Sequence, residues 1–390
     1  VGRKKVHPPA ILHGPLSLVV RSLISLPLVA GLTPALATAR SMARAWATLP
    51  ANRKRLGRAL AHLRVAFPEW SESRRMEAAI ASYEHLFQVA VEIAFAPRLL
   101  SADGWYRHLR LGEIERALPP MLASRPTLLI TAHCGNWEIM GYTLAVIGFP
   151  IHAVYRPLDL APLDAWVRRT RESHGIRLVS KFGAIWRVDK IVAAGKPLAF
   201  VADQNGGDRG VFVPFFGRLA STYKSIGLLA LQHGATIVCG TSRRIEADEP
   251  YPPGVTTGSE DRADVERWHR QPPPPSWRPP GADAGLSYVA EVADVFGPED
   301  WSKHPDPLFY LTARYRRAFE TMVRRAPRQY LWMHRSWKSR PPHERANRPF
   351  PPALREKLRS LPWMTEAEVE AIVERSDRDR AELAAGRVIS

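Results

Sequence analysis

Two hydrophobic periods divide this chain. Between residues 71 and 95, Met76, Ile80, Tyr83, Phe87, Val91 and Phe95 recur every three to four positions with Glu and Arg between them. That spacing predicts an amphipathic helix packed against the part of the chain that follows it. Beyond residue 126 the apolar residues come in short runs instead. TLLITA (127–132), IHAVY (151–155), IRLVS (176–180), PLAFVA (197–202) and ATIVCGT (235–241) predict strands, and 136–147, 159–174, 183–194 and 222–233 predict the helices between them. Such alternation predicts an α/β fold with a mainly parallel central sheet flanked by helices. A basic amphipathic helix, DPLFYLTARYRRAFETMVRRAP, and a short apolar run edged with Arg and Lys, RQYLWMHRSWKSRPP, come later. The last stretch, 352–385, predicts helices, with Thr365 and Glu368 at capping-box spacing.

Two segments depart from these periods. From 249 to 285 proline is dense and no apolar period survives, which predicts an inserted loop. Near the N-terminus, Ser22 to Ala39 is uncharged and apolar but carries Pro27, Gly31 and Pro34, and basic residues flank it on both sides. A kinked apolar segment with positive charge at both ends predicts an interfacial anchor on an anionic membrane, with a membrane span as the alternative. A cleaved signal peptide is opposed by Arg21, which interrupts the apolar core such a peptide needs. The organisation expected is a membrane-anchoring segment (1–50), an α/β domain carrying the insertion (51–345) and a C-terminal helical tail (346–390).

Composition narrows the partner. Across 390 residues, 55 Lys and Arg against 38 Asp and Glu give a formal charge of +17. A polyanion such as nucleic acid, an anionic membrane face or an acidic carrier protein is favoured. The chain has no RNA-binding aromatic signature, zinc-finger spacing or P-loop glycine motif, so nucleic acid is the disfavoured member. Cys134 and Cys239 offer no disulfide framework and read as small core residues facing a reducing compartment.

Ligands of open parallel sheets collect at the carboxyl ends of the strands. Three predicted strands end there on reactive side chains: His133, Arg156 and Asp203. Inside one helix, His133 and Glu138 would stand about 140° apart. With His133 on the strand-to-helix turn, eased by Gly135, Glu138 in the first helical turn can reach the imidazole and order it as a base. Such a dyad has no nucleophile of its own, which suits direct attack of a substrate hydroxyl on an activated acyl carbonyl. The Gly135 and Asn136 amides and Arg156 are the candidate donors to the oxyanion. Asp203 and Gln204 close another strand, and Phe212, Phe215 and Phe216 in VFVPFFG read either as the wall of an acyl groove or as ordinary core. A Cys134 hydrolase is disfavoured because adjacent side chains on an extended segment face opposite ways. A metal site finds two ligands in His133 and Asp203 and no third from His-x-His or HExxH spacing, so no metal or cofactor is expected. His152, within a strand, reads as structural.

HCGNWE, YRP, ADQN followed by GVFVPFFG and AST, and RQYLWMHRSWK occur in an order that resembles the bacterial lipid A biosynthesis acyltransferase family, the late lauroyl and myristoyl transferases. NRKRLGRALAHLRVAFPEWSESRR is similar to that family's N-terminal helical region, so the resemblance spans roughly residues 10 to 345. It implies that His133 is the general base and Glu138 its partner, that Arg156 aids the transition state or binds a phosphorylated acceptor, and that Asp203 belongs to a strand-end motif shaping the site. It further implies an acyl carrier protein (or CoA) thioester as donor and a glycolipid acceptor, at the cytoplasmic face of a bacterial inner membrane, held peripherally or monotopically. Other lipid acceptors, or a non-catalytic basic membrane-binding protein, are the competing readings.

Overall fold

Pro27 and Gly31 cut the apolar N-terminal segment into three short helices, α1 (His13–Ser25), α2 (Pro27–Ala30) and α3 (Leu32–Thr48). Proline lacks the amide a helix interior needs and opens α2, while Gly31 takes φ 85° between α2 and α3. The computed structural model describes residues 13–112, 114–173, 175–182, 185–246 and 285–387. Nearly all of the predicted proline-rich insertion lies outside the described residues.

After α4 (Arg53–Ala66), the predicted amphipathic helix forms as α5 (Glu72–Leu99), its N-cap Ser71 accepting from the Arg74 amide at 3.2 Å. Its aromatic side faces α3, where Tyr83 packs with Ala43 and Ala47. Met76 is exposed instead. The other side of α5 is buried as well, and there the residues are small or polar: Ala78, Ala79, Ser82, His85 and Glu92.

The α/β region runs β1 (Leu109–Leu111), α6 (Leu118–Leu122), β2 (Thr127–Thr131), α7 (Trp137–Val146), β3 (His152–Tyr155), α8 (Ala161–Glu172), β4 (Arg177–Ser180), α9 (Ile185–Ala193), β5 (Leu198–Val201), β6 (Val211–Phe215), β7 (Arg218–Thr222), α10 (Lys224–His233), β8 (Thr236–Arg244) and β9 (Tyr288–Phe296). Seven strands form one sheet in the order β1-β9-β8-β2-β5-β3-β4. Only the β8–β9 pair is antiparallel. The five predicted strands are all present and mutually parallel. The additions are the edge pair β1 and β9 and a separate hairpin, β6–β7, turned by Phe216 (φ 51°) and Gly217 (φ 65°).

Helices α11 (Pro298–Trp301), α12 (Pro307–Arg325), α13 (Pro342–Arg345), α14 (Pro352–Arg359) and α15 (Glu366–Ala384) complete the fold. The capping box forms: the Thr365 amide donates to Glu368 Oε2 at 2.8 Å and the Glu368 amide to Thr365 Oγ1 at 3.3 Å. The tail is no loose appendage. Leu358, Leu361, Val369 and Ile372 belong to the same core as Leu128, Ile130 and Ile237 of the sheet. Buried Asp379 on α15 accepts from Arg218 of β7 and from Arg340, which also grips Glu344.

Candidate active site

The parallel register of β2 and β5 makes the site. Thr131 pairs with Val201, and the Ala202 amide donates to Thr131 O at 2.9 Å, so the residues that follow, His133 and Asp203, come side by side. Nδ1 of His133 lies 2.7 Å from Oδ1 of Asp203. The expected pair of His133 with Glu138 is not what forms. Glu138, at the second position of α7, turns toward α8, where Arg171 Nε donates to its Oε2 at 2.9 Å and Arg171 Nη2 to its other oxygen. The carboxylate that orders the imidazole therefore comes from the neighbouring strand, 70 residues on, because strand register is a stiffer constraint than a helical first turn.

Asp203 is fully buried. Burial alone would raise its carboxyl, but His133, His334 and Arg316 outweigh that cost and hold it well below the usual carboxylate range. Arg316, itself wholly buried on α12, donates to the Asp203 carbonyl at 2.6 Å with its guanidinium 3.9 Å from the Phe215 ring centre. With Nδ1 engaged by Asp203, Nε2 of His133 is the nitrogen left to take a proton. The His133 side chain keeps 16% of its surface exposed, enough to meet a substrate.

The turn after β2 is clamped from three sides. The segment 329–331 lies antiparallel on it: the Gly135 amide donates to Gln329 O at 3.2 Å and the Leu331 amide to His133 O at 3.0 Å. From β8, Ser242 O accepts from the Asn136 amide at 2.6 Å and Thr241 Oγ1 donates to Cys134 O at 2.7 Å. From α5, His85 hydrogen-bonds the Gly135 backbone, and Glu92 accepts from Asn136 Nδ2 at 2.8 Å and from Tyr288 OH at 2.6 Å. Asn136 Oδ1 meanwhile caps α7 by accepting from the Glu138 and Ile139 amides. Gly135 is at φ 68°, where a Cβ would stand 2.1 Å from Ser242 O.

That clamp overturns the oxyanion expectation. The Gly135 and Asn136 amides already donate to Gln329 and Ser242, so neither is free for substrate. Asn136 and Gly135 build the turn instead of lining the site. Arg156 follows β3 at the same end of the sheet, two strands from β2, with its side chain 55% exposed and 3.6 Å from Asp159. Gln204 continues from Asp203 with its Nε2 3.5 Å from Nδ1 of His334.

For Phe215 and Phe216 the core reading of VFVPFFG holds. Phe215 and Phe216 are buried in an aromatic core with Trp332, Trp337 and Phe67, and they present no open face. Phe212 lines a shallow apolar groove with Val211, Phe309 and Leu354 that does not include His133. Another apolar cavity, of about 80 Å³, lies between the sheet and helices α6 and α7. Ile130, Met140, Leu144, Met121 and Phe149 are among the residues that line it.

His334 was missed in the sequence. Its ring stands edge-on to His133 at 4.7 Å, as does that of Trp137 on the other element. Burial holds its imidazole down to about 4. It completes, with His133 and Asp203, a set of three ligand atoms within 4.8 Å of one another that could hold a metal ion. In the structure two of those three donors are hydrogen-bonded to each other, beside the Arg316 guanidinium. The third ligand that spacing did not supply thus comes from a segment two hundred residues downstream, which only its quoted motif, WMHRSW, marks. Cys134, next to His133, is fully buried, and burial pushes its thiol far above the ordinary range. His152 is a buried strand residue, as expected.

At the carboxyl ends of two parallel strands, then, the structure sets a histidine ordered by a buried carboxylate, with a buried thiol beside it. The family model described as bacterial lipid A biosynthesis acyltransferase matches residues 18–256, and the chain belongs to that family. It is accordingly an O-acyltransferase that joins an acyl donor to a lipid acceptor. A search of curated proteins gave no match. Among the described residues no helix is long and apolar enough to cross a membrane.

Proposed function

We propose that the enzyme transfers a fatty acyl chain from an acyl carrier protein or CoA thioester to a hydroxyl of a lipid A precursor, at the cytoplasmic face of the inner membrane. The 2.7 Å contact between His133 and Asp203 carries this reading. Asp203 holds the Nδ1 proton, so Nε2 accepts the proton of the acceptor hydroxyl as its oxygen attacks the thioester carbonyl. The tetrahedral oxyanion then collapses, the carbon–sulfur bond breaks, and the departing thiolate takes the proton back from Nε2. Asp203 thus supports the charge that His133 gains. Arg156 stands two strands away, about 10 Å at ordinary strand spacing, a reach that suits the phosphate of an acceptor whose hydroxyl lies at His133. Glu138 acts through Arg171, fixing α7 against α8. The cavity beneath α7, at about 80 Å³, has room for only a short end of the donor chain, where each buried methylene contributes about 0.8 kcal/mol.

The test is a transfer assay with acyl carrier protein thioester and lipid A precursor. His133→Ala should lower kcat by about 10² to 10⁴. Full transfer by that variant would refute the mechanism. Asp203→Asn should approach the same loss, and Glu138→Gln should cost less; the reverse order would make Glu138 the partner of His133.

A further inference from the structure

The edge of the sheet nearest β4 carries a feature the acyl-transfer chemistry does not use. Where β4 ends, at the same end of the sheet as His133, Asp203 and Arg156, Phe182 and Trp186 project into solvent, 66% and 80% exposed. Two large aromatic side chains so exposed, four residues apart, are unusual on a surface that meets only water. The helix that bears Trp186 is otherwise well seated: Val188 and Ile191 pack against the main core and Val192 is fully buried. Trp186 therefore stands on an anchored helix and points away from that core by construction.

Basic side chains outnumber acidic ones around these rings. Lys181, Arg187 and Lys190 are exposed on the turn after β4 and on α9, and Lys181 Nζ lies 5.2 Å from the Phe182 ring centre. The acid of this stretch, Asp189, lies one turn from Trp186 and is engaged by α10, accepting from Gln232 and His233, both at 2.8 Å. Across α8 the surface continues into the N-terminal helices. Arg21 of α1 stands over Trp166 of α8 at 5.6 Å, and Leu18 and Val19 of α1 are exposed, as is Leu158 before α8.

We infer that Phe182 and Trp186 form a second membrane contact, an aromatic wedge that enters the headgroup region of an anionic bilayer. Together with α1 it sets the carboxyl end of the sheet against the lipid surface. Aromatic rings of this kind favour the interface, and each nearby Lys or Arg adds attraction to anionic headgroups. The wedge deepens the proposed function by saying how a lipid acceptor reaches the site without leaving the membrane. It rests on the family's lipid acceptor and not on which group is the base. An acidic protein could use the same cations, but it gives no reason for two bare aromatic rings.

Both native cysteines are fully buried, so a surface cysteine can be labelled selectively. The full chain carrying Trp186→Cys with an environment-sensitive dye is mixed with phosphatidylethanolamine/phosphatidylglycerol vesicles, without substrates. Its emission should shift to the blue and rise several-fold, while the same dye on Glu374→Cys of α15 should not respond. Protein that sediments with the vesicles while the dye at position 186 stays unchanged overturns the proposal, since α1 alone would then make the contact. A response to acidic carrier protein but not to vesicles overturns it too. In transfer assays, Phe182→Ser/Trp186→Ser should raise the apparent KM for vesicle-embedded acceptor at least tenfold and leave a water-soluble, short-chain acceptor unaffected. Equal effects on both acceptors also refute it. Because the dye readout needs no turnover, a failed acyl-transfer reading would leave it intact.

Discussion

At the scale of single residues, the site depends on who already holds each donor. Gly135 and Asn136 occupy the turn that a substrate oxyanion would use in a freer helix start, but their amides are committed to Gln329 and Ser242. Gly135→Ala would add a Cβ at 2.1 Å from Ser242 O in a left-handed conformation, so the variant should lose several kcal/mol of stability, read as a lowered urea midpoint. An unchanged midpoint would mean that the turn relaxes without cost. Two buried histidines, His62 and His85, and the partly buried His334 are held at about 3, 3 and 4 by desolvation. Their pKa values lie below the unfolded value near 6.5, so the unfolded chain binds more protons as pH falls past it. Stability should therefore be complete above about 6.5 and decline toward 4, each histidine contributing about 1.4 kcal/mol per pH unit over its window. Denaturation at pH 7 and 5 checks this, and a flat profile would contradict it. His133 and its motif were legible because histidine is a rare ending for an apolar strand. The identity of its partner was not legible, because Glu138 and Asp203 are equally acidic in the text and differ only in register.

At the scale of elements, α5 shows what periodicity conceals. The aromatic stripe did predict a helix, but it marks the side that meets α3. The side that supports the turn carrying His133 is written in Ser82, His85 and Glu92, which carry no hydrophobic signal. Glu92→Ala should therefore impair activity without touching substrate, by freeing Asn136 and Arg244. The cavity beneath α7 makes a second claim at this scale. Leu144→Trp should fill it and shift the preferred donor toward shorter chains, seen by competing thioesters of different length. Unaltered chain preference would place the acyl chain elsewhere. The hairpin β6–β7 was hidden by Pro214 and by a run of apolar residues with no alternation, because β7 is buried on both faces and the second face of β6 is partly covered.

At the scale of the whole molecule, the tail and the sheet share one hydrophobic core. Arg218 of β7 and Arg340 share Asp379 of α15 in a nearly water-free cluster. Asp379→Ala leaves two buried cations without that carboxylate and should cost about 3 to 5 kcal/mol in thermal or denaturant unfolding. A loss below 1 kcal/mol would show the tail to be dispensable. The basic excess of the chain is likewise unevenly spent: many arginines are locked inside such pairs, and those around β4 and α9 are left facing solvent.

By itself the sequence determined the α/β class, the five parallel strands, the helix ends and the histidine at a strand end, because alternation, caps and breakers act over a few residues. The tertiary structure alone decided that Asp203 orders His133, that His334 and Arg316 surround the pair, that the Gly135 and Asn136 amides are spent, and that Phe215 and Phe216 are core. Those outcomes depend on strand order and register, which join residues 70 to 200 positions apart and leave no mark in local spacing.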